Sequence, residues 1–237
     1  MTNKEKMEVP VMADLAAKGE MPEYLFWIGC AGAFDDRYKK VARAFTGILN
    51  HLNVSYAVLG KEESCTGDPA RRAGNEMLFQ MQALSNISIL DGYGIKKILT
   101  ICPHCYNTFK NDYPDLGGHY KVINYTQFIE EQIQNGNLKI DSHVFKKSKI
   151  TYHDPCYLGR ANGIYDAPRK ILKAIPSTMT EMKRNRNYAL CCGAGGGQMF
   201  KEAEKGDKEI FIERIEDAIG TGADIVATAC PFCMTMM

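Results

Sequence analysis

Nine cysteines stand at positions 30, 65, 102, 105, 156, 191, 192, 230 and 233 of this 237-residue chain, and their chemistry is thiolate chemistry: metal ligation, redox or disulfides. An odd count without an export signal does not read as a disulfide framework, and a reducing compartment keeps such thiols free. A buried-hydrophobe role suits a lone cysteine, not nine confined to loops. A thioredoxin-like pair would leave the remaining cysteines unexplained. Metal ligation is the leading expectation.

The spacing sharpens that expectation. Cys102-Pro103-His104-Cys105 and Cys230-Pro231-Phe232-Cys233 are Cys-x-x-Cys turns. Where such a turn enters a helix, both sulfurs face one side, and the helix N-terminus favours thiolates and bridging sulfides. Proline suits that first turn because its missing N–H would have no partner there. Cys30, Cys65, Cys102 and Cys105 form a four-thiol set, sufficient for tetrahedral zinc or for a [4Fe–4S] cluster. Cys156, Cys191, Cys192, Cys230 and Cys233 form a five-thiol set. The short tether between Cys191 and Cys192 hinders joint ligation of one tetrahedral ion and suits two irons of one cluster. Iron–sulfur is therefore expected in the second set, and iron–sulfur or zinc in the first.

These sets are copies of one another. Cys156 follows Cys30, and Cys191 follows Cys65, by 126 residues, while Cys230 and Cys233 follow Cys102 and Cys105 by 128. The flanks repeat too, Cys65-Thr66-Gly67 against Cys191-Cys192-Gly193. The chain is an internal duplication.

The elements that must position the cysteines repeat in the same order. Residues 24–28 are a continuous apolar run of strand length, followed by helical spacing of Val41, Ala44, Phe45, Ile48 and Leu49. Residues 56–59 are expected as a second strand. Residues 69–90 are expected as a long helix with Met77, Leu78, Met81 and Leu84 along one face. Residues 97–101 form a third expected strand, 106–112 a short helix, 122–124 a strand and 128–134 a helix. In the second half, 149–152, 178–182 and 224–228 read as strands, and 168–175 and 199–219 as helices. Strands alternating with helices imply an α/β fold, each half a small parallel sheet flanked by helices. In such sheets ligands bind beyond the carboxyl ends of the strands, where every cysteine cluster falls.

The expected organisation is an N-terminal extension over 1–23, a first half over 24–135, a linker over 136–148 and a second half over 149–237. The basic run Lys146-Lys147-Ser148-Lys149 reads as solvated linker. A formal net charge of +1 gives no reason to expect nucleic acid or an anionic membrane. No signal peptide and no membrane-spanning apolar run is visible, so a cytoplasmic location, with any membrane association through a partner, is expected. Cys192-Gly193-Ala194-Gly195-Gly196-Gly197 invites a nucleotide-loop reading, but its cysteines and the missing acidic ribose partner argue against it. Close backbone approach to a cluster is the better use for those glycines.

A distant Cys, a Cys-Cys-Gly and a Cys-x-x-Cys, in two copies over residues 24–233, resemble the cysteine-rich CCG domain of the B-type subunit of heterodisulfide reductase. Related domains occur in iron–sulfur subunits of glycolate oxidase, anaerobic glycerol-3-phosphate dehydrogenase and lactate-utilisation complexes. The resemblance implies two α/β halves related by a pseudo-two-fold axis, [4Fe–4S]-type clusters and redox work. In some members the five-cysteine motif holds a non-cubane cluster, and in some relatives zinc occupies one motif. The second half matches in full, at Cys156, Cys191, Cys192, Cys230 and Cys233. The first departs from it, with Thr66 where the second cysteine of the pair would stand. No ferredoxin-type cysteine run is present, so a ferredoxin-type iron–sulfur or flavoprotein partner is expected to deliver electrons.

His153 and Asp154 precede Cys156, whereas their counterparts 126 residues earlier are Trp27 and Ile28. The second site is thus the candidate reactive one, with His153 or Asp154 managing protons, against a plainer role in ordering the strand end. Arg71, Arg72 and Arg160 follow the cysteine loops and are candidates for holding those loops, or for an anion or partner. Three functions follow. The first is an electron-transfer subunit ending on a quinone-type acceptor. The second is a disulfide or heterodisulfide reductase, and the third a zinc-stabilised interaction module. The second half stops four residues past Cys233, short of the final strand and helix seen in the first.

Overall fold

The computed structural model describes residues 8–140, 145–202 and 205–237. Alternating apolar runs and helical stretches fold into two parallel sheets. In chain order the first half contains α1 (Met12–Ala17), β1 (Tyr24–Trp27), α2 (Gly29–Phe34), α3 (Tyr38–His51), β2 (Tyr56–Ala57), α4 (Asp68–Arg72), α5 (Glu76–Gly92), β3 (Lys97–Thr100), α6 (Pro103–Asn107), β4 (Lys121–Asn124) and α7 (Tyr125–Gln134). The second contains β5 (Lys149–His153), α8 (Asp166–Ala174), β6 (Thr178–Met179), α9 (Ile210–Ile219), β7 (Ile225–Thr228) and α10 (Pro231–Met236).

The sheets run β2-β1-β3-β4 and β6-β5-β7, every pairing parallel. The second order repeats the first three strands of the first sheet. Register repeats as well: Trp27 lies opposite Thr100, and their counterparts His153 and Thr228 lie opposite each other. β4 has no equivalent among the described residues of the second half.

β1 is apolar throughout because helices cover both faces of its sheet. Leu25 and Trp27 point to one face and pack with Met12, Phe79, Ala83 and Leu90. Phe26 points to the other and packs with Phe45, Leu49 and Phe128. That alternation is the two-residue period of a strand. The second core extends across the halves, since Ile171 and Met234 pack against it.

The expected helix over 69–90 is two helices. Gly74, at φ +89°, breaks it, and Asn75 restarts it by accepting a hydrogen bond from the Leu78 amide at 3.1 Å. That cap sets the phase of α5, burying Phe79, Ala83, Ile87 and Leu90, while Met77, Leu78, Met81 and Leu84 face solvent. The expected apolar face is the outer one. The expected helix over 199–219 also fails: a 3-10 segment covers Gly195–Phe200, and α9 starts only at Ile210. Residues 203–204 of that stretch lie outside the described residues. The short helix expected over 106–112 is α6, starting at Pro103, followed by a π turn, Thr108–Asp112.

Strand pairing beyond Ala57 is taken over by the N-terminal segment, where Val11 bridges Val58 and Met12 enters the first core. Leu138, in the expected linker, packs on the second core, and residues 141–144 lie outside the described residues.

Candidate metal centres

All nine cysteines are free. In the first half, β1 delivers Cys30 at the start of α2, the loop after β2 delivers Cys65, and β3 delivers Cys102 and Cys105 at the start of α6. Gly29, at φ +77°, makes the close approach, since a Cβ there would sit 3.2 Å from the Cys105 sulfur. Cys30 lies against Cys65, and Cys102 against Cys105. The Cys30 proton, held against Cys65, is hard to remove. Cys65 is correspondingly acidic, at about 6, because the Cys30 thiol hydrogen-bonds it and the Gly67 amide donates to its sulfur at 3.4 Å. Thr66 stands 4.0 Å from the Cys105 sulfur through its hydroxyl.

The second half builds the same arrangement with one more sulfur. Contacts run from Cys156 to Cys191, Cys191 to Cys192, Cys192 to Cys233 and Cys233 to Cys230. The Cys191 thiol is driven far down by hydrogen bonds from Cys156 and Cys192, while Cys192 is pushed up to about 12 by Cys191. The Gly193 amide donates to Cys191 at 3.3 Å, repeating Gly67 on Cys65. Both glycines need positive φ, +88° at Gly67 and +89° at Gly193. The glycine loop thus turns a backbone amide onto a cysteine sulfur.

His153 joins this centre. A ring nitrogen of His153 and the sulfurs of Cys192 and Cys233 lie within 4.8 Å of one another. Arg214, itself fully buried, donates from Nε to Nδ1 of His153 at 2.9 Å. An arginine can only donate, so Nδ1 accepts and the ring proton sits on Nε2. Burial and the Arg214 charge hold the ring neutral, at about 4. Nε2 has no partner among the described residues. A sulfur-rich acceptor in this cradle would satisfy it, so the donor set and the orphaned N–H both fit a cluster.

Asp154 is placed differently. Its two oxygens take Arg169 at 2.6 and 2.9 Å, and one also takes the Arg186 amide at 2.8 Å. With its oxygens held by this buried guanidinium, Asp154 locks β5 to α8. Arg71 and Arg72 both pair with Asp112, at 2.8 and 2.9 Å, and Arg160 donates to the Ala189 carbonyl at 2.5 Å. All three arginines hold their loops in place.

Two residues escaped the sequence reading. Glu63 is half-buried near Cys30 and accepts from the Ile28 and Gly29 amides at 3.1 and 2.6 Å, with partial desolvation raising it to about 7. His104, between Cys102 and Cys105, lies close to Cys230 of the other half. It also contacts Asp68 from Nδ1 at 2.7 Å. Burial alone would lower His104, but these partners raise it to about 10. A polar residue between two paired cysteines was the only available signal.

The family model of the cysteine-rich CCG domain matches residues 24–110 and 150–237, the two stretches that carry the sulfur sets. The chain belongs to the CCG family. In CCG terms the motif is complete at Cys191-Cys192-Gly193 and reads Cys65-Thr66-Gly67 in the first copy. Among relatives, the chain is 46% identical to the probable iron-sulfur-binding oxidoreductase FadF of Bacillus subtilis, over 97% of this chain and 32% of the relative. It is 43% identical to the EtfAB:quinone oxidoreductase of Syntrophomonas wolfei, over 94% of this chain and 32% of the relative. It is 37% identical to a subunit of the dihydromethanophenazine:CoB–CoM heterodisulfide reductase of Methanosarcina barkeri, over 89% of this chain and 52% of the relative. The chain thus spans a third to a half of the length of these CCG relatives. Among the described residues no helix is long and apolar enough to cross a membrane.

Proposed function

We propose that this CCG chain carries two iron–sulfur clusters and passes electrons within an oxidoreductase. The observation that carries this reading is the gathering of all nine free cysteines into two mutually contacting sets at the carboxyl ends of two duplicated sheets. Cys30, Cys65, Cys102 and Cys105 would hold one [4Fe–4S] cluster, and Cys156, Cys191, Cys192, Cys230 and Cys233 the other. When bound, the clusters supply one-electron storage; the protein supplies thiolates, N–H donors to sulfur and a low-dielectric setting, which together set the potentials.

The donor in this reading is a ferredoxin-type iron–sulfur or flavoprotein subunit, and the acceptor is of quinone type, which the name of one relative, the EtfAB:quinone oxidoreductase, supports. Exposed Cys30 borders an apolar cleft of about 220 Å³ between the halves, lined by Phe34, Met199, Phe200 and Phe232, suited to an apolar acceptor or a partner's edge. Residence in the cytoplasm, with membrane association through a partner, belongs to the same reading. A second reading, reduction of a small disulfide at the five-sulfur centre, is favoured by His153, whose unpartnered N–H faces that centre and could serve a leaving thiolate. Anaerobic reduction of the chain, followed by mixing with a quinone analogue or a small disulfide under optical and EPR observation, tests both. Reoxidation by the quinone alone supports the first, and by the disulfide alone the second. Reoxidation by neither ends both.

A further inference from the structure

Trp27 and His153 hold the same place in the two sheets. Each is the last residue of the strand that leads to the first cysteine of its set, opposite Thr100 and Thr228. Both side chains are fully buried, and each carries a ring nitrogen, Nε1 of Trp27 and Nε2 of His153, without a partner among the described residues. In the second half the ring lies within 4.8 Å of the Cys192 and Cys233 sulfurs. The counterparts of those two cysteines are Thr66 and Cys105, which stand 4.0 Å apart, hydroxyl to sulfur. Trp27 packs in one core with Cys102 and Cys105. Phe109, four residues past Cys105, meets the indole edge-on, with centroids 4.7 Å apart at 80°, and fixes its plane. Tyr113 brings a hydroxyl to the same core, but that group is already taken. It accepts from Asn86 Nδ2 at 3.0 Å and donates to the Thr66 carbonyl at 3.1 Å. An indole nitrogen can only donate, and a buried tryptophan N–H normally finds an acceptor.

We propose that the indole N–H of Trp27 is a hydrogen-bond donor to sulfur at the first centre and raises that centre's reduction potential. The inference deepens the iron–sulfur reading given above and rests on it. A donor aimed at sulfur offsets the negative charge that reduction adds, and hydrogen bonds to sulfur are one of the protein's controls on potential. The duplication thus supplies each centre with a ring N–H from one strand position, by imidazole in the second half and by indole in the first. The indole has no second nitrogen with which to pass a proton on, so Trp27 equips the first centre for electrons alone.

Trp27 is the single tryptophan of the chain, so tryptophan carrying heavy nitrogen in its ring labels this one group. Pulsed EPR of the reduced, labelled whole chain tests the proposal, with iron, sulfide and zinc quantified on each sample. The signal that survives in Cys191→Ser assigns the first centre. A coupling to the labelled nitrogen should appear on that signal and not on the other. Trp27→Phe keeps an aromatic ring without the N–H. Potentiometric titration of this variant should show one-electron reduction of the first centre weakened about tenfold, a fall of about 59 mV, with iron retained and the second centre unmoved. Absence of the nitrogen coupling from a first centre that holds iron overturns the proposal, even where Trp27→Phe does not fold. An unmoved midpoint in a Trp27→Phe chain with full iron overturns it as well. A first centre that holds zinc, or a chain without iron and sulfide, removes the functional reading instead, and this proposal with it.

Discussion

Phe232 is the repeat counterpart of His104, and the two rings meet with centroids 4.5 Å apart. The Cys-x-x-Cys turns of the two halves therefore face each other, and the sulfur sets sit on either side of one shared packing contact. Other cross-half contacts surround it: Asn162 donates from Nδ2 to Asn107 Oδ1 at 3.1 Å, and Arg37 donates to the Met234 carbonyl at 3.2 Å. Folding of each sheet gathers its own sulfurs, and docking of the halves brings the two centres together.

Thr66 is the one departure from a full duplication of the motif. Thr66→Cys is expected to give the first centre a fifth thiolate and to move its EPR signal toward that of the second. Cys192→Thr should do the reverse. Spectra that ignore both changes would mean that the residue after Cys65 or Cys191 does not bear on the metal.

His153→Ala should keep the full iron content while shifting the spectrum of the second centre, because the ring's lone pair, at Nδ1, is already taken by Arg214. Metal analysis decides it. Loss of one centre's iron would make the ring a ligand.

Arg169→Ala leaves the buried carboxylate of Asp154 without its bidentate partner, and should cost about 3–5 kcal/mol of unfolding free energy. Denaturant unfolding measures the loss. A cost under about 1 kcal/mol would show that the pair does not hold β5 to α8.

Gly67 and Gly74 share a left-handed φ, +88° and +89°, but only Gly67 is crowded: a Cβ there would lie 2.8 Å from the Phe79 ring and 3.3 Å from its backbone. Gly67→Ala should therefore destabilise by about 1–3 kcal/mol more than Gly74→Ala. Thermal unfolding of the two variants gives the comparison.

On α5, Phe79→Ala should cost about 3–5 kcal/mol. Met81→Gln on the exposed face should stay within about 0.5 kcal/mol. Equal costs would restore the face expected from the apolar spacing.

The duplication was legible because the cysteines fall at the same strand ends in both halves, so their spacing repeats; strand order and register then followed it, down to Trp27 and His153 holding the same sheet position. The buried face of α5 was not legible. Both its sides are apolar, and the phase is set by the Asn75 cap, which spacing alone does not reveal. Residues 200–209 read as helix because Met199 and Phe200 extend the apolar pattern, yet positive φ at Gly196 and Gly197 turns the chain before it can propagate. His104 and Glu63 were missed for another reason. Their roles come from contacts across 36 and 34 residues, and no local pattern encodes such distances.

The central claim is that these sulfurs hold iron and inorganic sulfide. Quantitation of iron, acid-labile sulfide and zinc in the anaerobically purified chain, beside Cys191→Ser, tests it most directly. Iron and sulfide in about equal amounts, both falling by about half in the variant, are the predicted result. A chain that binds zinc without sulfide, or that keeps its full iron after loss of Cys191, would contradict it.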